Sequence, residues 1–564
     1  TLLGRAALFH GGPSFANRQE ERIEAVTVED LTRVARTYLA PERRISFLIR
    51  PSVGGMLGSI LGGGKKGPAE DEGAAPASKP VSTARPEPKG PKASARRPSG
   101  YPEAPPLQPV SIGKVAREAT ERVLPNGLRV LVVENHEVPL VTVRLGLRSG
   151  AFLDLPGKPG SASLAASMLT KGTRTHTAQE LAEELDGNAV TLSGGAGPDS
   201  ASVTATAARK QLGRAVRLLA EVVREPAFPP KEFGKLKAQT LAGLSVQEKT
   251  PEAIADRAFR RGIFGAHPYA RTATGTSEDV KRIEAKDCAE WWTRRARPEE
   301  AVLAFAGDVD PQTAVEAAEG FFGDWKGEGE PPRADLPTPP PPGPTGILLV
   351  DQPGAIQSQV RAGHLGITRA DPRYAAGRVL TQVFGGSFGS RLNKRIRVEK
   401  GLTYGARGSL QSSRFAGTFL VSTFSKTPST GETVRLILEE IGRMRTEPPT
   451  AEELEKARSY LLGSFAGSHE TPESIAEELW ALSLEGLPPA FVDRYLEGVG
   501  RTTSEEVGRV AKELLDPGHL TIVVVGDASR VAEDLRAIAP VTVLDENGDP
   551  KKADEGGPEG ASDR

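Results

Sequence analysis

Two segments of this chain repeat each other roughly 220 residues apart, and this repeat limits the folds that the chain can adopt. The heptapeptide Thr250–Asp256 returns as Thr471–Glu477. Further along, an apolar run that ends in Gly307–Asp308 returns as a run that ends in Gly526–Asp527. A Thr-Pro-Glu sequence alone only marks the start of a helix, because proline is favoured in the first turn. Two matching pairs in the same order and at the same spacing predict a tandem duplication of one domain.

A partial third copy lies at the start of the chain. Thr27–Ala35 is similar to Thr503–Ala511, and the apolar run 45–49 matches the last strand of the repeat. We interpret residues 1–50 as the C-terminal remnant of a preceding homologous domain. Because the sequence starts without methionine and inside this remnant, we expect the chain to be a piece of a longer polypeptide.

Composition divides the rest of the chain into domains and linkers. Stretches rich in glycine, proline, alanine and lysine contain too little apolar surface to order themselves, and proline runs form extended spacers. The predicted boundaries are a disordered linker 51–115, a first domain 116–327, a proline-rich linker 328–345, a second domain 346–541 and a disordered tail 542–564.

Charge and cysteine content exclude several classes of protein. The 72 Lys and Arg residues nearly balance the 73 Asp and Glu residues, so nothing favours nucleic acid as a partner. No apolar run reaches the length of a membrane span. The single cysteine, Cys288, excludes an internal disulfide and cannot hold a structural zinc by itself.

Hydrophobic periodicity predicts an α+β fold in each copy. Apolar and alternating runs predict strands at 128–134 and 141–148, followed by a small-residue helix at 161–170. Residues 209–224 and 231–262 are typical of long helices. The second copy repeats this order, so each copy is expected to be a sheet covered by helices.

The residues alone give no strong catalytic motif. None of the seven histidines stands four residues from another, as a helical zinc site requires. Gly62–Lys66 is a poor phosphate loop, because its glycine spacing is wrong and no Ser or Thr follows the lysine. Gly385–Arg391 lies at a predicted helix end inside a domain, where a flexible turn is the simplest interpretation.

Several motifs together resemble the pitrilysin or insulinase family of zinc peptidases, including the mitochondrial processing peptidases. The similar segments are Leu124–Val130, Gly160–Thr173 and Gly389–Leu392 running into Arg397–Tyr404. The resemblance covers both copies and the N-terminal remnant. It implies one half of a clamshell metallopeptidase, in which two halves of two homologous domains each close around a chamber.

The resemblance also implies that this half holds no metal. The family carries His-x-x-Glu-His before Lys-Gly-Thr, where two histidines bind zinc and the glutamate activates water. Here the corresponding residues are Ser163, Ala166 and Ser167. The distal carboxylate falls near Ala242 or Gly243, so all four groups are missing.

An Arg and a Tyr seven residues apart remain, at Arg397 and Tyr404. In the family this pair reaches into the zinc site of a facing domain and binds the substrate backbone and the developing oxyanion. The glycine-rich segment before it resembles one that lines the substrate chamber. The residues assigned to substrate binding are Gly385, Gly386, Ser387 and Gly389. A purely structural alternative pairs Arg397 with Glu399 and packs Tyr404 in a sheet.

The sequence therefore predicts the non-zinc half of a two-part peptidase that acts on peptides. The zinc belongs to a partner half, which is either fused upstream or a separate subunit. The main alternative is an inert binding or scaffolding homologue, as in respiratory-complex core subunits of this fold, and an unrelated peptide-binding clam is a third. The family favours a bacterial periplasm or envelope location.

Overall fold

The computed structural model of this protein describes residues 2–9, 11–12, 14–40, 42, 44, 119–329, 336–546 and 548–551. The predicted linker 51–115 with Gly62–Lys66, the apolar run 45–49, part of the proline-rich linker and most of the tail lie outside the described residues. The chain divides into two compact units, Thr1–Tyr101 and Pro102–Arg564, and each is described by itself.

The described part of the first unit is helical. Its helices are Leu2–Phe9, Ser14–Asn17, Gln19–Glu24 and Val28–Tyr38. Thr27 caps the last helix, because its side chain accepts a hydrogen bond from the Asp30 backbone N–H at 3.2 Å. Thr503 caps the helix Ser504–Leu514 of the second unit in the same way. The two matching sequences thus start helices with the same cap.

Two six-stranded sheets form the second unit, one from each copy of the repeat. The strands of the first copy are β1 (Thr120–Val123), β2 (Arg129–Glu134), β3 (Leu140–Leu147), β4 (Thr191–Ala196), β5 (Ala201–Ala208) and β6 (Ala301–Gly307). The strands of the second copy are β7 (Gly346–Asp351), β8 (Gln357–Gly366), β9 (Ala406–Gln411), β10 (Gly417–Lys426), β11 (Thr521–Gly526) and β12 (Val541–Leu544).

The two sheets have the same topology. Their orders are β1-β2-β6-β3-β5-β4 and β12-β7-β11-β8-β10-β9, so five strands correspond one to one and only the end strands β1 and β12 differ. The equivalent pairs β2–β6 and β7–β11 are parallel and lie beside antiparallel pairs. The end strands differ in direction, because β1 pairs antiparallel with β2 whereas β12 pairs parallel with β7. The α+β fold and the tandem duplication are confirmed. Strand β12 ends at Leu544, three residues beyond the predicted end of the second domain at 541.

Helices pack against both sheets. In the first copy they are Ser161–Met168, Ala178–Gly187, Leu212–Arg224, Pro230–Gln247, Pro251–Phe264, Ser277–Arg282, Ala285–Arg295 and Pro311–Phe322. In the second copy they are Tyr374–Thr381, Arg391–Asn393, Thr430–Thr446, Ala451–Ser468, Pro472–Leu484, Phe491–Arg501, Ser504–Leu514 and Ala528–Arg536. None of the helices in the described part of the chain has the length and apolarity needed to cross a bilayer.

The prediction of one long helix over 231–262 is wrong. The chain forms Pro230–Gln247 and then Pro251–Phe264. The break occurs because Pro251 has no backbone N–H to continue the first helix, while Thr250 accepts a hydrogen bond from the Ala253 N–H and starts the second.

The repeated heptapeptide starts a helix that each copy donates to the other copy's sheet. Pro251–Phe264, the first crossover helix, packs on β8 and β11 of the second sheet. Pro472–Leu484, the second crossover helix, packs on β3 and β6 of the first sheet. The first contact buries Ile254, Ala255, Ala258, Phe259 and Ile263 against Val350, Val523 and Val525. The second buries Ile475, Ala476, Leu479 and Trp480 against Leu131, Val133, Val302 and Ala304.

An Arg-x-Gly sequence in the central strand of each copy receives the crossover helix. Arg361 Nε lies 2.6 Å from Asp256 Oδ1 of the first crossover helix. Its counterpart Arg144 lies 3.9 Å from Glu477 of the second. Two residues along the strand, the glycine leaves space for an aromatic ring from the same helix. A Cβ atom on Gly146 would lie 1.3 Å from Trp480 Nε1, and one on Gly363 would lie 3.0 Å from Phe259 Cζ. This motif was not predicted from the sequence, although both the Arg-x-Gly sequence and the helix that packs on it occur in each copy.

A half-buried titratable group lies where the second crossover helix ends. Glu485 Oε2 is 3.5 Å from Arg369 Nε and receives no hydrogen bond within the described residues. Burial raises the pKa of the Glu485 carboxyl to about 7. The Arg369 guanidinium lowers this pKa, whereas the nearby Glu478 and Asp199 carboxylates raise it. Asp199 belongs to the first copy, so the pKa of Glu485 depends on how the two copies pack against each other.

We expect the stability of the protein to fall as the pH rises through 7. A folded-state pKa raised above the ordinary 4.5 favours folding most below pH 4.5, and that contribution is lost as the pH passes about 7. Between pH 5 and pH 8, Glu485 should account for a loss on the order of 2 kcal/mol. Urea unfolding at several pH values should therefore show a weaker pH dependence in Glu485→Gln than in the wild type. Glu473→Gln, on the exposed side of the same helix, is the control. Identical pH profiles for wild type and Glu485→Gln would contradict the expectation.

Candidate functional site

The helix that carries the zinc motif in related sequences is present but is packed as a structural element. Ala166 is fully buried on the helix Ser161–Met168. A Cβ atom on Gly194 of β4 would lie 2.4 Å from the Ala166 carbonyl oxygen, so strand and helix are in close contact. The Ser167 hydroxyl donates to the Ser163 carbonyl oxygen at 2.8 Å. The two serines thus bond within the helix, and no side chain at these positions is a typical zinc ligand.

The distal ligand position is equally unsuited to a metal. Ala242 and Gly243 lie on the helix Pro230–Gln247, which contacts the helix Ser161–Met168. The two helices meet as a metal site would need, but neither residue has a ligand atom in its side chain. Throughout the described ranges, no group of three His, Cys, Asp or Glu side chains could hold a metal ion. These residues do not fit zinc.

The Arg–Tyr pair lies in an irregular segment of the second copy. Arg397 is half-buried in a π-helical turn, Lys394–Glu399, a conformation that is rare and often found at functional sites. Its guanidinium carbon lies 4.6 Å from the centre of the Phe388 ring, a cation–π contact that holds the planar group in place. Gly401, at φ +65°, then turns the chain towards Tyr404.

Tyr404 projects from the surface instead of packing in a sheet. Its exposed fraction is 79%, although its ring still lies 6.2 Å from that of Phe424. The residues beside it are fixed, because the Thr403 hydroxyl donates to the Gly405 carbonyl at 3.0 Å and accepts from the Thr423 hydroxyl at 3.2 Å. Glu399 pairs with Arg395 at 3.2 Å and not with Arg397. The structural alternative for this pair is therefore not what the geometry shows.

The glycine-rich segment combines packing with exposure. Gly385 and Gly386 end a second π-helical turn, Gln382–Gly386. A Cβ atom on Gly385 would lie 2.2 Å from the Gly408 nitrogen of β9, so this position requires glycine for close approach. Ser387 is half-buried and its carbonyl oxygen accepts from the Ser390 hydroxyl at 2.6 Å, whereas Gly389 is exposed.

A cavity of about 550 Å³ brings part of this segment together with residues that sequence reasoning missed. Gly385, Gly386 and Ser387 line one side. The missed residues are Glu252, Gln359, Arg361, Arg407 and Tyr460. Arg397, Tyr404 and Gly389 do not line the cavity, but Phe388 and Gly405 do, so the Arg–Tyr pair lies at its rim. Only the register of the paired strands could have shown that Arg361 and Arg407 lie on either side of Ser422.

Comparison with known proteins relates the chain to one peptidase family. Residues 129–277 match the profile described as insulinase, peptidase family M16, and residues 282–461 match the profile described as the peptidase M16 inactive domain. A solved structure described as a peptidase M16 inactive domain from Pseudomonas fluorescens is similar, with a TM-score of 0.68 and 26% identity. The similarity covers 72% of this chain and 98% of that one. A protease structure from Helicobacter pylori, at 18% identity and a TM-score of 0.67, shares the fold.

The similarity covers most of the curated bacterial relatives, whose designations are mixed. A protein of Helicobacter pylori named non-peptidase homolog YmxG is 25% identical over 410 residues, which cover 71% of this chain and 92% of that protein. An uncharacterized zinc protease YmxG of Bacillus subtilis is 22% identical over 380 residues, covering 64% of this chain and 91% of its own length.

Proposed function

Because this chain belongs to the insulinase family of peptidases, M16, as a homologue of its inactive domain, we propose that it is the non-zinc half of a two-part peptidase. In this proposal a homologous zinc-bearing half supplies the metal site. The present chain supplies a peptide-binding surface and the Arg397–Tyr404 pair. The single observation that carries the proposal is the exposed Tyr404 side chain at the rim of a cavity that Phe388, the ring in contact with Arg397, also lines.

The chemistry of the pair suits a peptide bond under attack. The carbonyl oxygen gains negative charge as a nucleophile adds to the carbonyl carbon. The Tyr404 O–H can donate one hydrogen bond to that oxygen, and the Arg397 guanidinium offers N–H donors in a rigid plane. Such donors lower the barrier most when they are oriented before the charge develops. The Thr403–Gly405 hydrogen bond beside Tyr404 and the contact of Arg397 with the Phe388 ring support this role.

The cavity beside the pair provides a surface for the rest of the peptide. It has aromatic walls at Phe388, Phe424 and Tyr460 and polar groups at Ser387 and Arg407. A volume of about 550 Å³ lies within the range of small-ligand sites and can take one or two side chains. The chain would therefore hold the substrate while the partner half cleaves it.

Metal analysis and peptide assays on the purified chain, alone and with its zinc-bearing partner, test this proposal. Alone, the chain is expected to contain no stoichiometric zinc and to cleave no peptide, because Ser163, Ala166 and Ser167 provide no ligands. Mixed with the homologous half that carries His-x-x-Glu-His, it should raise peptide turnover well above that of the partner alone. One tightly bound zinc with chelator-sensitive cleavage by the chain alone would contradict the proposal.

A scaffolding role without catalysis is the second candidate, and the non-peptidase designation of the Helicobacter relative favours it. The two candidates differ in the mixing experiment. A chain that binds its partner and leaves turnover unchanged is a scaffold.

A further inference from the structure

Arg407 occupies an outer strand next to the cavity and on the same face of the sheet as Arg361. Ser422 of β10 pairs with Arg361 of β8 on one side and with Arg407 of β9 on the other. Directly paired residues of antiparallel strands share a face, so the three side chains form a row across the sheet. Arg361 is buried and bound to Asp256, whereas Arg407 is exposed.

The first copy of the repeat shows which residue the fold needs at this position. Arg144 pairs with Thr204, and Thr204 pairs with Ser193. Arg144 and Arg361 are equivalent residues. Each pairs with the residue three positions before the glycine of the repeated Gly-Asp, which is Ala304 in β6 and Val523 in β11. Ser193 is therefore the counterpart of Arg407. The same strand in the same sheet forms with a serine, so the arginine is not required for folding.

The other charges of the cavity already have partners. The Glu252 carboxylate accepts a hydrogen bond from Gln359 Nε2 at 2.7 Å, and Arg361 is paired with Asp256 at 2.6 Å. No carboxylate within the described ranges pairs with Arg407. An exposed guanidinium beside aromatic walls suits a carboxylate next to an apolar group, since its planar N–H groups can bind both carboxylate oxygens.

We propose that Arg407 binds a carboxylate of the peptide, so that this half selects peptides in which an acidic residue adjoins an apolar one. This inference rests on the peptide-binding role proposed above and specifies its substrate class. The apolar side chain enters between Phe388, Phe424 and Tyr460. The acidic side chain lies over β9, where Arg407 donates to it.

Two fluorescein-labelled hexapeptides that differ only in Phe-Glu or Phe-Gln test the inference by fluorescence anisotropy with the full chain. The Glu peptide is expected to bind about tenfold more tightly, equivalent to about 1.4 kcal/mol. Added salt should reduce this preference, because it screens an exposed pair. In Arg407→Ser, which installs the residue of the first copy, the two peptides should bind equally. Arg435→Gln removes an exposed arginine on the helix Thr430–Thr446 and should keep the preference.

The outcomes distinguish the role of Arg407 from the peptide-binding role on which it rests. Equal binding of both peptides to the wild type, or a preference that survives in Arg407→Ser, overturns the role of Arg407 and leaves the peptide-binding role intact. If neither peptide binds, the peptide-binding role fails and the inference fails with it. Urea unfolding of Arg407→Ser confirms that any loss of preference is not a loss of folding.

Discussion

Replacing Tyr404 by phenylalanine is expected to lower peptide turnover about 10²–10³-fold when this chain acts with its zinc-bearing half. The substitution removes only the hydroxyl. In the proposed function that hydroxyl donates to an oxygen that becomes negative in the transition state, and loss of one such donor typically has an effect of this size. Because the bond strengthens as charge develops, turnover should fall more than substrate affinity does. Steady-state kinetics of the reconstituted pair measure both quantities.

The Tyr404→Phe variant should fold and assemble normally. The ring remains free to lie near Phe424, and the exposed hydroxyl supports no internal packing. Tyr38→Phe is the matched control, since Tyr38 is also exposed but belongs to the first unit and has no role in the proposal. Arg397→Ala is less informative, because it also removes the contact with Phe388. A Tyr404→Phe variant that assembles and retains full turnover would make the scaffolding role the better explanation.

Replacing Trp480 by alanine is expected to destabilise the second unit by about 3–5 kcal/mol. The side chain is almost fully buried between the crossover helix and the first sheet, with the Arg144 guanidinium 4.7 Å from its ring centre. The Trp480 ring occupies the space above Gly146, so the change leaves a cavity as well as lost burial. Urea unfolding followed by circular dichroism gives the free energy of unfolding directly.

A double-mutant cycle identifies the ring-on-glycine contact as the cause. Gly146→Ala alone should destabilise the protein, because its Cβ would overlap the Trp480 ring. In the Trp480→Ala background the same change should cost little, since the ring is gone. Additive effects of the two changes would show that the contact is not the source. Gly463→Ala is a control, because a Cβ atom on Gly463 meets no other atom within 4 Å.

The sequence was sufficient for the fold class and for the duplication, because strand periodicity and repeated motifs are local signals. It was not sufficient for the helix break at Pro251, where a long apolar periodicity outweighed the Thr-Pro signal. The exchange of crossover helices was also beyond prediction. An apolar helix face shows that something covers it, but the same residues would suit either sheet.

The candidate site was predictable only in part. Arg397, Tyr404 and the glycine-rich segment follow from the resemblance to the peptidase family, and the structure places them around one cavity and its rim. Glu252, Arg361, Arg407 and Tyr460 come from two different copies and from separate strands and helices. Their proximity depends on strand register and on the exchanged helix, and neither is encoded in nearby residues.

The exchanged helices constrain how such a chain could have arisen. A single copy of the repeat would leave the apolar face of its sheet bare and its own helix without a binding surface. Two separate copies can cover both sheets only by exchanging helices about a twofold axis. This exchange gives a self-complementary interface between identical subunits. A one-copy protein of this fold is therefore expected to need a second copy to cover its sheet. Two copies in one chain can also differ at equivalent positions, as Ser193 and Arg407 do, so each half of the unit can present its own surface.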